Sequence, residues 1–235
     1  MKLYDETIQK CMALLGAGES RTLPLDGGDW PEVSDHNMIL RSDMAYELGG
    51  GGLPAIGCTL VTASETLCPV DGLTLLGPDL SEIKKDVPFA RIAIVRVDPA
   101  TMGEGQALYN AIRALEYTRY HFYPEGFMMR VSSTRHKESV RIGKSALAKG
   151  LDFSKAGSRM ISAFHKNPRV KAVQLYYVTL ASFDYRALER CASEAEAITK
   201  TIDHILKNAV MDCNACSLQT VCNEVEGLRE LHFAR

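Results

Sequence analysis

Several sequence features that define common protein classes are missing from this chain of 235 residues. No apolar run approaches the roughly 20 residues that cross a bilayer, and the acidic start of the chain does not resemble a secretory signal. The four glycines at 49–52 belong to neither a Gly-x-Gly-x-x-Gly nor a Gly-Lys-Ser/Thr loop, so a nucleotide-binding loop is not expected there. We expect a tight turn at these glycines.

Other absences narrow the function further. No Gly-x-Ser-x-Gly elbow occurs, and basic residues do not alternate with aromatic residues in the way that single-stranded nucleic acid requires. We therefore expect no nucleic-acid partner and no membrane partner. With no export signal expected, the seven cysteines predict reduced thiols and a cytoplasmic location rather than a disulfide framework.

Charge is unevenly distributed along the chain, although the net charge is only −2. Residues 1–109 carry 8 Lys+Arg and 16 Asp+Glu, residues 110–172 carry 13 and 4, and residues 173–235 carry 6 and 9. A basic middle segment predicts either a positive surface that attracts anions or a segment that faces its acidic neighbours in the fold.

Apolar periodicity predicts an α+β fold. Helices are expected at 3–15, 101–120, 144–149, 154–166, 183–209 and 221–231, and strands at 55–62, 73–76, 89–97, 127–132 and 170–179. Because strands and helices alternate irregularly, we expect a mixed sheet packed by helices, with a C-terminal helix and a cysteine-rich, metal-binding tail. The only tryptophan, Trp30, is expected to fix an irregular segment to the body of the protein.

The metal-binding prediction rests on three thiols, Cys213, Cys216 and Cys222. A Cys-x2-Cys pair lets two sulfurs converge on one ion or cluster, and a third thiol closes most of a coordination shell. Thiolate ligands suit both zinc and iron–sulfur clusters, so the residues alone do not select the metal. The alternative is three ordinary thiols in a helical tail.

A second candidate site lies in the basic segment. Its cations surround a strand-to-helix connection in which Gly143 frees backbone N–H groups, as phosphate binding requires. The alternative is a solvated basic face. The cations are Arg130, Arg135, His136, Lys137, Arg141 and Lys144.

Four segments resemble, in this order, the middle domain of the acetyl-CoA synthase β subunit of the carbon monoxide dehydrogenase/acetyl-CoA synthase complex. They are 48–62 (LGGGGLPAIGCTLVT), 69–80 (PVDGLTLLGPDL), 140–151 (VRIGKSALAKGL) and 170–179 (VKAVQLYYVT). The resemblance covers roughly residues 40–182 and implies an α+β domain. It divides the chain into an N-terminal helix and connection at 1–40, the middle-domain-like unit at 41–182, and a long helix with the cysteine tail at 183–235.

The resemblance also implies a function. It favours a 4Fe–4S cluster over zinc at the three cysteines, and it suggests an accessory protein of anaerobic one-carbon metabolism. The partners it implies are carbon monoxide dehydrogenase, a corrinoid protein or a methyltransferase. The family holds nickel on a Cys-Gly-Cys sequence, and since no Cys-x-Cys occurs here, acetyl-CoA synthase activity is not expected. The alternative is an enzyme that binds coenzyme A or another phosphorylated cofactor on the basic segment, with a structural zinc or Fe–S tail.

Overall fold

A mixed five-stranded sheet forms the centre of the protein, whose computed structural model describes residues 2–25, 30–33, 42–131, 136–207 and 219–225. The strand order is β1-β4-β8-β5-β3, with parallel pairs β4/β8 and β3/β5 and antiparallel pairs β1/β4 and β5/β8. These strands are β1 (Arg21–Thr22), β3 (Ala55–Thr62), β4 (Gly72–Leu76), β5 (Phe89–Val97) and β8 (Val170–Val178). The β-branched and apolar runs of β3 and β5 are buried on both faces, which explains why they read as continuous apolar runs in the sequence.

A smaller antiparallel sheet of three strands packs against β3 and β5. Its order is β2-β7-β6, formed by β2 (Ala45–Leu48), β7 (Glu138–Gly143) and β6 (Phe127–Val131). Burial alternates along β7, because successive side chains of a strand point to opposite faces. We call the side that carries Arg141 the outer face of this sheet.

Helices cover the five-stranded sheet. The first, second and fifth helices contact β3, while the fourth contacts β4 and β8. Each long helix presents a stripe of buried residues at helical spacing, and the stripe of the fifth includes Leu188, Ala195 and Ile202. The helices are α1 (Asp5–Gly16), α2 (Gly105–Tyr117), α3 (Lys144–Ala148), α4 (Phe153–His165), α5 (Tyr185–Lys207) and α6 (Gln219–Glu224). Among the described residues, no helix has both the length and the apolar character needed to cross a membrane.

The predicted α+β class, with a mixed sheet, packed helices and a C-terminal helix, is confirmed. Two features differ from the sequence prediction. The strands divide into two sheets, and β2 and β7 were not predicted because charged residues interrupt their apolar pattern: Glu47 in β2, and Glu138 and Arg141 in β7. The division of the chain at residues 40 and 182 stays a prediction, and the apolar core takes side chains from α1 and α5 as well as from the strands.

Two local predictions are confirmed. The four-glycine run forms a turn in which the Leu53 amide donates to the Gly50 carbonyl (3.0 Å), and Gly49 has a φ of 74° that only glycine adopts readily. Trp30 is buried, and its indole Nε1 donates to the carbonyl of Glu125 at 2.9 Å. The tryptophan thereby fixes residues 30–33 to the segment before β6.

Candidate functional site

The outer face of the three-stranded sheet brings together two of the predicted cations. Glu47 of β2 lies opposite Arg141 of β7 in the antiparallel register. Arg141 Nε donates to Glu47 Oε1 at 2.8 Å and its second guanidinium nitrogen contacts the same oxygen, while Arg130 of β6 reaches it at 3.1 Å. Hydrogen bonding from Arg141 holds the pKa of Glu47 below its usual range.

The other predicted cations of this cluster are more dispersed. Lys144, at the start of α3, donates to the carbonyl of Asp43 at 2.8 Å, and its ammonium lies 4.9 Å from the centre of the Tyr46 ring. Lys137 is exposed. Arg135 lies outside the described residues. The basic segment is therefore partly compensated by an acid from the first third of the chain, and its lysines face solvent.

Beneath the three-stranded sheet lies a buried ion pair that the sequence analysis missed. Arg91 of β5 and Glu138 of β7 have fully buried side chains, joined by hydrogen bonds of 2.5 and 2.8 Å. Arg91 also donates to the carbonyl of Cys58 at 3.1 Å. Glu138 packs directly over Gly57 of β3, where a Cβ would come within 2.2 Å of the carboxylate. The inward alternation of positions 138, 140 and 142 was the available signal for a buried acid.

A cavity of about 260 Å³ opens beside β3, the edge strand of the five-stranded sheet. Its walls are formed by α2 with the 3-10 turn that follows, by α5, and by His136. Three tyrosine rings line the α2 side: Tyr109, Tyr117 and Tyr120. We call this space the α2/α5 cavity.

The polar walls of the α2/α5 cavity are internally connected. Thr199 Oγ1 of α5 lies 2.9 Å from the Tyr4 hydroxyl and 3.1 Å from Glu116 Oε1. Burial raises the pKa of Glu116, while the neighbouring Arg113 opposes that rise. These contacts tie α1, α2 and α5 together across the helical layer.

His136 closes one end of the cavity. Its carbonyl accepts from the Gly57 amide at 3.0 Å, which attaches the segment before β7 to the edge strand. Its Nε2 lies 2.6 Å from Glu196 Oε2, although the contact lacks the geometry of a hydrogen bond. Burial lowers the pKa of His136, the charge of Arg119 lowers it further, and Glu196 opposes both.

The cysteines fall into two groups. Cys213 and Cys216 lie outside the described residues, and Cys222 belongs to α6. In the described part of the chain, four buried cysteines carry free thiols, and no three His, Cys, Asp or Glu side chains come together as metal ligands. The four buried cysteines are Cys11, Cys58, Cys68 and Cys191.

Two helices flank the segment that carries Cys213 and Cys216. Helix α5 ends at Lys207, and α6 begins at Gln219 and packs against α5. Val221 and Val225 lie partly buried against the apolar core. The cysteine-bearing segment is thus joined at both ends to elements that pack on the body of the protein.

Comparison with known proteins identifies the class to which this fold belongs. The chain belongs to the family of CO dehydrogenase/acetyl-CoA synthase complex beta subunits, which matches residues 32–182. No curated protein matches the chain. The matched region includes the strands from β2 to β8, whereas α1 and α5, which cover the same sheet, lie outside it. The resemblance drawn from the four sequence segments is therefore confirmed.

Proposed function

We propose that this acetyl-CoA synthase-like protein of one-carbon metabolism is an accessory protein that carries an iron–sulfur cluster on Cys213, Cys216 and Cys222. One observation supports the proposal: the segment with Cys213 and Cys216 follows α5, which packs on β3 of the family fold, and precedes α6, which contains Cys222 and packs against α5. A segment held at both ends loses less conformational entropy when its thiolates converge on a metal.

The donor set limits what this site does. Three thiolates leave one position for a further ligand, and they suit a 4Fe–4S cluster or, as the alternative, zinc. A cluster on the three cysteines would either transfer electrons or stabilise the fold of the C-terminal segment. The family fold then docks carbon monoxide dehydrogenase, a corrinoid protein or a methyltransferase. Acetyl-CoA synthesis is not proposed for these 235 residues, because they contain no Cys-x-Cys sequence for nickel.

Anaerobic purification with elemental analysis tests the cluster. The wild-type protein is expected to retain iron and sulfide with visible charge-transfer absorption, and Cys216→Ser is expected to lose both while its far-ultraviolet circular dichroism is unchanged. Cys68→Ser is the matched control, because that thiol is buried in the apolar core and donates to the Ile94 carbonyl at 3.5 Å. Unchanged metal content in Cys216→Ser contradicts the proposal.

The outer face supports a second candidate, the binding of coenzyme A or another phosphorylated cofactor. Half of the Arg130 side chain is exposed (50%), and two guanidinium groups share the single carboxylate of Glu47, which leaves a net positive charge. Arg141 directs two nitrogens to that carboxylate, so Arg130, Lys137 and Lys144 are the groups that would meet a phosphate. Arg135 is proposed with them from the sequence alone.

Titration at low salt tests this candidate. Coenzyme A is expected to bind the wild type more tightly than dephospho-coenzyme A, because the additional phosphate pairs with a guanidinium. Arg130→Gln combined with Lys144→Gln is expected to remove that difference. Lys149→Gln is the control, because Lys149 is exposed and paired with Glu125 at 2.5 Å. Absence of binding by the wild type at low salt removes the candidate.

A further inference from the structure

The α2/α5 cavity is lined by three acids, and each acid already has a cationic partner. The ion pairs are Glu116 with Arg113, Glu196 with Lys200 at 2.5 Å, and Asp203 with Lys207 at 2.7 Å. Among the described residues, these pairs leave the acidic side of the cavity neutral as a whole.

Arg119 adds a positive charge that is not compensated in the same way. Its guanidinium lies 3.6 Å from Glu138, but that carboxylate is already held by Arg91 through two hydrogen bonds. Two guanidinium groups on one carboxylate leave one excess positive charge. Arg91 is fully buried and Arg119 lines the cavity, so the excess charge acts in the cavity through Arg119.

The burial of Arg119 strengthens the electrostatic interaction of its charge with a ligand in the cavity. Only 16% of its side chain is exposed, so solvent and salt screen it less than they screen a surface arginine. Its Nε is buried and, within the described part of the chain, has no hydrogen-bond partner. Buried donors without partners are uncommon in folded proteins, and a bound ion or water is one explanation.

The cavity also contains an apolar surface next to this charge. The Arg119 guanidinium lies 5.3 Å from the centre of the Tyr120 ring, and Tyr120 packs edge-on against Tyr117 with ring centres 5.5 Å apart. Aromatic walls bury the hydrocarbon part of a ligand, while a planar guanidinium recognises a carboxylate through parallel hydrogen bonds.

We propose that the α2/α5 cavity binds a small organic monoanion, with its carboxylate on Arg119 and its apolar part against the tyrosine rings. One excess positive charge matches one negative charge. A phosphate dianion is disfavoured, because its second charge would lie near Glu116 and Glu196, whose cationic partners Arg113 and Lys200 are already paired. The site shares none of its residues with the cysteine segment, so its occupancy does not depend on a metal cluster there.

Titration of the purified protein with benzoate tests the proposal, with benzamide as the uncharged analogue of the same shape. Benzoate is expected to bind with one site per chain and to shift the side-chain Nε–H resonance of Arg119. Benzamide is expected to bind at least tenfold more weakly. Failure of benzoate to bind, or equal binding of benzamide, overturns the proposal.

Two variants with opposite expected effects locate the site. Arg119→Gln removes the excess charge and is expected to weaken benzoate binding at least tenfold, whereas Glu196→Gln removes an opposing acid and is expected to strengthen it several-fold. Arg21→Gln, at an exposed arginine paired with Glu82, is expected to leave binding unchanged. Equal benzoate affinity in the Arg119 and Glu196 variants overturns the assignment. If Arg119→Gln does not fold, the Glu196→Gln variant still tests it, because removing an acid from the cavity is expected to strengthen benzoate binding; unchanged or weaker binding contradicts the assignment. Cys216→Ser is expected to bind benzoate like the wild type.

Discussion

Arg91 and Glu138 are the most deeply buried charges in the described part of the chain, since both side chains have no exposure. Arg91→Met is expected to lower the free energy of unfolding by about 3–5 kcal/mol, because Glu138 then keeps a buried charge whose two hydrogen bonds are lost and whose remaining cation is Arg119 at 3.6 Å. Urea unfolding followed by circular dichroism measures the change. Loss of less than about 1 kcal/mol would show that water or another group replaces the arginine.

The double variant Arg91→Met with Glu138→Met separates the pair from its parts. Replacing a buried ion pair by apolar side chains of similar volume is often nearly neutral, because the desolvation of both charges disappears together with their attraction. We therefore expect the double variant to be more stable than Arg91→Met alone. A double variant that is less stable than either single variant would contradict this account.

Gly57 is needed for the approach of the two sheets rather than for its backbone conformation. A Cβ at this position would lie 2.2 Å from a carboxylate oxygen of Glu138. Gly57→Ala is expected to destabilise the protein by about 1–3 kcal/mol, the usual range for overpacking a core. Gly16→Ala is the matched control, because a Cβ there meets no atom within 4 Å. Equal stability of the two variants in urea unfolding would contradict the close approach.

At the scale of elements, the pairing of β2 with β7 brings Glu47 against Arg141 on the outer face, and this contact contributes to stability in a pH-dependent way. The pKa of Glu47 is lower in the folded protein than its unfolded value of about 4.3. The stabilisation is therefore complete above that unfolded value and is lost as the pH falls through the lower folded value. Glu47→Gln is expected to lower stability at pH 7 and to lose less stability than the wild type between pH 7 and pH 3. Parallel urea curves at the two pH values would test this, and an equal loss in both proteins would contradict it.

Elements differ in how well the sequence predicts them, for a physical reason. Strands β3 and β5 were predicted with the bounds that they have, because burial on both faces leaves a continuous run of apolar residues. Strand β7 was missed, because its exposed face carries Arg141 and its buried face begins with an acid, Glu138. That acid is explained only by Arg91, which is 47 residues away in the chain.

The candidate sites likewise depend on contacts between residues that are far apart in the sequence. The clustering of Arg130 and Arg141 was predictable, because both lie within one basic segment. Their shared partner Glu47 is 83 and 94 residues away from them, and no local pattern indicates such a contact. The α2/α5 cavity was not predictable for the same reason, because its walls combine residues from β3, α2 and α5.

At the scale of the whole molecule, the charge asymmetry of the sequence is partly offset by contacts between segments. Cations of the basic middle segment pair with acids of the first segment in Arg141–Glu47, Lys166–Glu32 (3.9 Å) and Lys171–Asp98 (3.8 Å). The expectation that acidic and basic segments face each other is therefore supported within the described residues. What remains of the positive charge is concentrated at specific places, such as Arg119 in its cavity.

Family membership and the thiol pattern lead to different expectations for nickel. A square-planar nickel site requires thiolate and nitrogen donors that a Cys-x-Cys sequence supplies together, and the 235 residues contain no such sequence. The protein purified without oxygen is therefore expected to contain no stoichiometric nickel, even when the cells that express it are grown with excess nickel. Elemental analysis of the same sample for iron and zinc is the control, because it shows whether the preparation retains metal at all. Nickel at one atom per chain after stringent washing would contradict the expectation. Acetyl-CoA synthase activity would then again be a candidate function of this chain.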